Sequence, residues 1–320
     1  MSVVFSVPFK DLPSPLEFME TFAMEDFTPP TASNTISPPA VICPQLDEGA
    51  DLERWERDFY YTFYVSGIST RGLEIWLGGN RFFVRIPFMA VQQEWFLALR
   101  FLELAAEAAD SEVKSDWRNE PLSLIQLREA FEEGSIKDTI TKQGQELFEL
   151  VLEAREEVSL NGPIHSFCFG PQLADKIIIN HPYPAELEAL IDFTQTLMKL
   201  VQYFFEYPNF EKYQYPEYLD LPIDGNDFLG AVLKAGTPVF VSSIDYLVVP
   251  NNLGGAMALP ADKFRDYLGQ YFKEPDKLLW LDEYQFALAA VTEREIRAFA
   301  EGVAEHCVLL PAAVIKSARS

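Results

Sequence analysis

Apolar and polar residues alternate most clearly in the first third of the chain, where they predict three strands. Residues 59–65, 72–77 and 81–86 are rich in β-branched and aromatic side chains, which favour strands. The Gly-Gly-Asn sequence at 78–80 tolerates the positive φ angles of a tight hairpin turn. Pro87 ends the third run because it has no N–H to donate to a sheet. We therefore expect a three-stranded antiparallel meander.

The next segment, residues 92–109, is apolar on almost every side and predicts a largely buried helix. Its few polar residues fall at helical spacing on one narrow stripe: Gln93, Arg100, Glu103 and Glu107. The opposite face carries Trp95 and Leu102. We expect this face to cover the meander, so that Trp95 and Leu102 are buried together with Trp76 and Phe83.

Further along the chain, pairs of strand-like runs are each followed by a helix-like run. The expected strand pairs are 164–169 with 176–180, 237–241 with 245–249, and 277–281 with 284–291. The expected helices are 138–157, 184–205, 260–268 and 292–304, and a capping box at Ser123 and Gln126 adds a short helix that Gly134 ends. Short connections between paired strands favour antiparallel sheets. The predicted fold class is α+β, with antiparallel sheets of short hairpins covered by helices in recurring strand–strand–helix units.

The distribution of prolines and turn residues predicts three regions. Residues 1–50 are rich in proline but contain many apolar side chains, so we expect an arm packed on the core, with irregular chain at 28–44. The Asn-Gly-Pro sequence at 161–163 is a break between an N-terminal α+β domain at 51–160 and a C-terminal α+β domain at 161–320. A single packed unit formed by these two domains is the alternative.

Charge and cysteine content narrow the classes of partner. The chain has 320 residues and a formal net charge of −24, which disfavours nucleic acids and anionic membranes and permits a basic protein partner. The small, odd number of cysteines, three, argues against a disulfide framework, and neither a signal peptide nor a long apolar run is evident. We expect a cytoplasmic protein. The sequence carries no signal for its oligomeric state.

Cysteine and histidine residues are the first candidates for chemistry. His165 and Cys168 fall on one predicted strand, and His181 follows the next. A spacing of three puts His165 and Cys168 on opposite faces of a strand, and Cys168 lies between two phenylalanines. We expect Cys168 to be buried and unreactive. The alternative function is that of an enzyme with a dispersed active site. Such a site would use carboxylates, or Cys168 with a histidine.

Metal, calcium and phosphate sites are not expected. The histidines and cysteines lack the paired spacing of zinc sites, and no P-loop, dinucleotide fingerprint or nucleophile elbow occurs. The acidic stretch 220–227 lacks the ligand spacing of an EF-hand, and we interpret it as a turn that caps a helix starting near Asp227. We expect neither a metal nor a cofactor.

Eight tyrosine and phenylalanine residues crowd into residues 203–218, a segment interrupted by Pro208 and Pro216. Aromatic side chains and flanking acids are typical of an interface for a cationic partner. We therefore expect a non-catalytic protein of the inhibitor, chaperone or regulatory type that binds a basic protein partner. The residues expected to do so, called here the aromatic surface, are Tyr207, Phe210, Tyr213, Tyr215, Glu206, Glu211 and Glu217.

Overall fold

The chain divides into two compact units, Met1–Gln202 and Tyr203–Ser320. In both units helices cover sheets whose strands are mostly antiparallel, which confirms the predicted α+β class. The boundary predicted near residue 160 lies inside the first unit. The computed structural model describes the following residues: 2–22, 41–42, 52–57, 59–179, 181–250, 255–274 and 276–310.

The first unit contains a large sheet, a two-stranded sheet and six helices among its described residues. In chain order its elements are β1 (Val3–Pro8), α1 (Pro15–Phe22), β2 (Val41–Ile42), β3 (Tyr60–Val65), β4 (Leu73–Gly78), β5 (Arg81–Ile86), α2 (Gln92–Ala109), β6 (Lys114–Ser115), α3 (Leu124–Ala130), α4 (Glu133–Leu152), β7 (Val158–Asn161), β8 (Ser166–Phe169), α5 (Pro171–Ile178) and α6 (Leu187–Gln202). The large sheet has the order β2-β3-β4-β5-β1-β6, and β7 pairs with β8.

The predicted meander and its helix are present as β3, β4, β5 and α2. The β4–β5 register places Gly78 opposite Arg81, and Gly79 adopts a φ of +59° in the turn. The N-terminal strand β1 lies between β5 and β6, with Val3 opposite Ile86. The start of the proline-rich region is thus part of the sheet itself. Of the irregular chain expected at 28–44, only β2 lies within the described residues, and it pairs with β3.

The contact between the sheet and α2 differs from the prediction for two of four residues. Trp95 and Leu102 are fully buried in the core, as expected. Trp76 and Phe83 instead lie half-buried on the other face of the sheet, where their rings stack 5.0 Å apart. Side chains alternate along a strand, and Ile75 faces the core. The prediction of one four-residue cluster is therefore wrong.

The polar stripe predicted on α2 is wrong for Glu103. This residue is only 5% exposed, and its carboxylate accepts hydrogen bonds from Arg100 Nη1 at 2.5 Å and from Arg128 Nε at 2.6 Å. These two arginines supply the counter-charges that a buried carboxylate needs. Arg128 lies on α3, whose predicted capping box between Ser123 and Gln126 is present. The ion pair thus joins α2 to α3.

One predicted helix end and one predicted strand are also corrected in the first unit. Gly134 does not end α3 but lies in the first turn of α4. The strand expected at 176–180 is largely helix α5, and residue 180 is outside the described residues. Pro171 occupies the first turn of α5, where its missing N–H has no helical partner to lose. That start signal outweighs the strand preference of the isoleucines at 177–179.

The second unit contains a five-stranded sheet and a three-stranded sheet among its described residues. In chain order its elements are β9 (Glu217–Ile223), β10 (Asn226–Val232), β11 (Val239–Val241), β12 (Tyr246–Pro250), β13 (Ala256–Pro260), α7 (Ala261–Tyr271), β14 (Leu278–Trp280), β15 (Phe286–Leu288), α8 (Glu293–Val303) and β16 (Val308–Leu310). The sheets have the orders β16-β13-β12-β10-β9 and β11-β15-β14. The pair β10–β12 is parallel, and the other pairs are antiparallel.

The helix expected near Asp227 is wrong, because residues 217–232 form the hairpin β9–β10. Its two-residue turn is Asp224-Gly225, and both residues have positive φ angles. Helices α7 and α8 cover one face of the five-stranded sheet through apolar side chains such as Phe264 and Phe299. The capping box predicted between Thr292 and Glu295 is present at the start of α8. In the described parts of the chain, no helix is both long and apolar enough to cross a membrane.

Candidate functional site

The aromatic surface is built on two buried phenylalanines of the second unit. Phe204 lies in a short 3₁₀ turn, and Phe240 lies on β11; their rings stack 4.6 Å apart. The Phe210 ring also stacks on Phe204, with ring centroids 4.4 Å apart. Tyr213 meets Phe204 edge to face at 5.4 Å. Two of the predicted binding rings therefore rest on a rigid apolar base.

The backbone of the segment is also fixed to β11. Gln214 N–H donates to the Pro238 carbonyl at 3.2 Å, and Phe240 N–H donates to the Gln214 carbonyl at 3.0 Å. This short parallel bridge holds Tyr215 beside Phe205, with ring centroids 4.8 Å apart. The segment is thus tied down at both its rings and its backbone.

The four predicted binding rings differ in exposure. Tyr207 is 36% exposed and Tyr215 is 45% exposed, whereas Phe210 and Tyr213 are half-buried. Burial raises the pKa of Tyr207, Tyr213 and Tyr215, so their hydroxyls stay protonated hydrogen-bond donors at neutral pH. The rings therefore present both apolar area and polar tips.

The three acids of the aromatic surface fall into two groups. Glu206 and Glu211 are exposed, and among the described residues neither has an ion-pair partner. Glu206 also contributes to the raised pKa of Tyr207, after burial. Glu217 is half-buried and forms an ion pair with Lys234. Two acids are therefore available to a partner, and the third is engaged within the unit.

Next to Tyr215 the surface contains a cavity of about 270 Å³, with the Glu217–Lys234 pair in its wall. The segment also holds a cation over one of its own rings, since Lys212 Nζ lies 5.8 Å from the Tyr213 ring centroid. A ring and a cation at this distance attract one another through the quadrupole of the ring. The Tyr213 ring therefore already has a cation from its own segment over it.

The cysteine and histidine candidates are engaged in local contacts. Cys168 is half-buried rather than buried, and it lies on the face of β8 opposite the buried Phe167 and Phe169. The backbone of His165 exchanges hydrogen bonds with the Gln202 side chain, and burial lowers the pKa of its imidazole. His181 Nδ1 lies 3.0 Å from Glu186 Oε2.

The third histidine of the chain, His306, has its Nε2 atom 2.6 Å from the Tyr267 hydroxyl. Burial raises the pKa of its neighbour Cys307 to about 11, which keeps that thiol protonated at neutral pH. Within the described ranges, no group of three or more His, Cys, Asp or Glu side chains is arranged to hold a metal ion.

Sequence reasoning missed a polar cleft in the first unit, between the start of α2 and helices α4 and α6. Its volume is about 230 Å³. Lys199 of α6 lies in its wall and is half-buried. The signal that could have found it is the mixture on α6 of Gln195 and Lys199 with acids. Which side chains of α6 face the cleft depends on α2 and α4, and both of these helices are distant from α6 in the sequence.

The comparisons with known proteins identify the family of this chain but no individual relative. No curated protein and no solved structure matches the chain. The model of a domain of unknown function, DUF4299, matches residues 44–207, which is just over half of the chain. The match covers most of the first unit, including the polar cleft. It ends at Tyr207, within the aromatic-rich residues 203–218. The chain therefore belongs to the DUF4299 family.

Proposed function

We propose that this protein is a non-catalytic acidic protein that binds a basic protein partner through the aromatic surface, as an inhibitor, chaperone or regulatory protein. The observation that carries the proposal is the juxtaposition of partly exposed rings with unpaired acids. Tyr207 and Tyr215 are exposed by more than a third of their area, and Glu206 and Glu211 beside them are without ion-pair partners in the described chain. Aromatic anchors surrounded by charge are typical of binding sites.

The rigidity of the segment supports the proposal. Binding is weakened by the entropy of ordering flexible side chains, so a preorganised surface binds more tightly for the same area. Phe210 and Tyr213 are already held on Phe204, and the backbone of Gln214 is bonded to β11. A partner would therefore meet rings whose positions are largely fixed before contact.

Charge supports the choice of a basic partner. The net charge of −24 attracts a cationic protein at long range, which raises the association rate more than the final affinity. At physiological ionic strength, salt largely screens this attraction at distances beyond about 8 Å. We expect the association rate to fall as salt rises, while the dissociation rate changes little.

The test is co-purification of the full chain with proteins of its native host, followed by kinetics with the recovered partner. Tyr213→Ala combined with Tyr215→Ala should abolish co-purification, because it removes one ring that packs edge to face on Phe204 and one exposed ring. Tyr60→Ala is the matched control, since Tyr60 is 54% exposed and lies in the first unit. Circular dichroism must show that all variants are folded.

A second double variant separates the long-range attraction of the partner by the acids from its anchoring by the rings. Glu206→Gln combined with Glu211→Gln should slow association with the recovered partner about tenfold or less and leave dissociation unchanged. The proposal is overturned if the folded tyrosine variant retains the partner. It is also overturned if any cationic protein of similar charge, such as cytochrome c, binds as tightly as the recovered partner.

A further inference from the structure

The polar cleft of the first unit is independent of the aromatic surface and combines three helices. The start of α2, the middle of α4 and one face of α6 form its walls. The polar side chains in these walls include Gln93, Lys137, Thr141, Asp192, Gln195 and Lys199. The cleft is therefore lined by groups of both charges and by neutral hydrogen-bonding groups.

Lys199 differs from the other lysine of the cleft. Lys137 Nζ lies 2.9 Å from Glu188 Oε2 and is compensated by that ion pair. Lys199 has no ion-pair partner within 4 Å among the described residues. Burial lowers its pKa, and the more distant carboxylates of Glu94 and Asp192 oppose that effect without removing it. One desolvated ammonium group therefore borders the cavity without a direct counter-charge.

A desolvated ammonium without a contacting anion is unfavourable, because it has lost hydration and gained no partner. An anion in the cavity would supply that partner where the surrounding protein strengthens the attraction. Hydrogen-bonding groups next to Lys199 would hold the rest of such a ligand. Gln195 is anchored by a hydrogen bond to the Met89 carbonyl at 3.5 Å, so its amide group is held in the wall.

We propose that this cleft is a binding site for a small organic monocarboxylate, whose carboxylate group pairs with the ammonium group of Lys199. The size and charge of the cleft select this class. Its volume of about 230 Å³ is below that of sites for drug-sized ligands, so it suits a molecule of few atoms. Asp192 in the wall repels a second negative charge, which disfavours phosphate and dicarboxylates.

The test titrates the full-length protein with propionate, and with inorganic phosphate as the dianionic comparison. Binding is followed by the amide chemical shifts of cleft residues such as Gln93, Thr141 and Gln195. We expect a propionate dissociation constant on the order of 1 mM, as befits a ligand of few atoms, and weaker binding of phosphate. Lys199→Gln should weaken propionate binding at least tenfold. Lys142→Gln, on α4 outside the cleft, is the matched control.

A measurement on the unaltered protein covers the case in which Lys199→Gln does not fold. Acylation of each lysine is followed by mass spectrometry, and propionate should protect Lys199 while Lys142 reacts at an unchanged rate. The proposal is overturned if propionate fails to shift the cleft amides, or if it leaves the acylation rate of Lys199 unchanged. Phosphate binding as tight as propionate would overturn the assignment of a monocarboxylate.

Discussion

The carboxylate of Glu94 accepts a hydrogen bond from the backbone N–H of Arg71 at 2.9 Å, although 22 residues separate them along the chain. The same carboxylate accepts hydrogen bonds from the N–H groups of Gly72 and Val91, and from the Thr70 hydroxyl at 3.1 Å. Glu94 is fully buried. One side chain thus both caps helix α2 and fixes the turn that leads into β4.

Replacing Glu94 by alanine should therefore destabilise the protein strongly. The change leaves several buried donors unpaired, each with a penalty of about 1–3 kcal/mol, and we expect a total loss of about 3–5 kcal/mol. Urea unfolding followed by tryptophan fluorescence measures the loss. Glu107→Ala, at an exposed position of the same helix, should change stability by less than about 0.5 kcal/mol. Equal midpoints for the two variants would contradict the assigned role.

Two tryptophans on opposite faces of the large sheet should differ in their contribution to stability. Trp95 is fully buried beneath the sheet, and Trp95→Ala should lower the free energy of unfolding by about 3–5 kcal/mol. Trp76 is half-buried and stacks on Phe83, and Trp76→Ala should lower it by about 1–2 kcal/mol. Calorimetry of the two variants compares them directly. A larger effect at Trp76 would mean that the faces are assigned the wrong way round.

Two glycines of helix α4 should respond to alanine with opposite signs. A Cβ atom added at Gly144 would overlap the side chain of Ile191 on α6, and we expect a loss of about 1–3 kcal/mol or more. A Cβ added at Gly134 meets nothing within 4 Å in the described chain, and alanine there should stabilise by about 0.5–1 kcal/mol. Thermal melts of both variants test the pair, and two changes of the same sign would refute it.

The ion pair between Lys277 and Glu295 should make the second unit sensitive to acid. Hydrogen bonds from Lys277 and Thr292 lower the pKa of Glu295 from its ordinary value of 4.5 to about 2. A lowered pKa in the folded state stabilises the fold above pH 4.5, and that stabilisation is lost as pH falls from 4.5 towards 2. Glu295→Gln should reduce the slope of stability against pH in that window. An unchanged slope would show that this carboxylate has no linked role.

Local signals predicted the first unit's meander and helix well. The Gly-Gly-Asn sequence at 78–80 predicts the turn of the hairpin β4–β5. The near-continuous apolar character of α2 predicts that this helix is buried. The faces of the hairpin could not be assigned from the sequence, because Ile75 and Trp76 are both apolar and lie on opposite sides. Only the position of α2 decides which of the two enters the core.

The hairpin β9–β10 was missed although its signal was present. Asp224-Gly225 is a dipeptide that favours a two-residue hairpin turn, but Pro222 and Gly230 beside it obscure the strands. Pro222 is tolerated because β9 is an edge strand. Glycine is needed at position 230 because the side chains of Leu221 and Val248 occupy the space that a Cβ atom would take. Both explanations depend on strand order, which the sequence did not provide.

The candidate sites show the same dependence on distant contacts. The residues of the aromatic surface could be chosen from the sequence because they are neighbours in the chain. Their base could not, since Phe240 belongs to β11. The cleft at Lys199 requires α2 and α4, whose residues lie about 60 to 110 positions earlier. Sequence patterns on a single helix cannot separate a lysine in solvent from one beside a cavity.

The interior position of β1 has a consequence for synthesis of the protein. This strand leaves the ribosome before its partner β5, which is completed only when Ile86 has been added. At about 5–20 residues per second, the apolar strand waits on the order of 10 s for its partner. A fragment limited to residues 44–207, the part matched by the family model, would never receive it. Such a fragment would expose the unpaired edge of β5, and recombinant work on this chain should therefore retain β1.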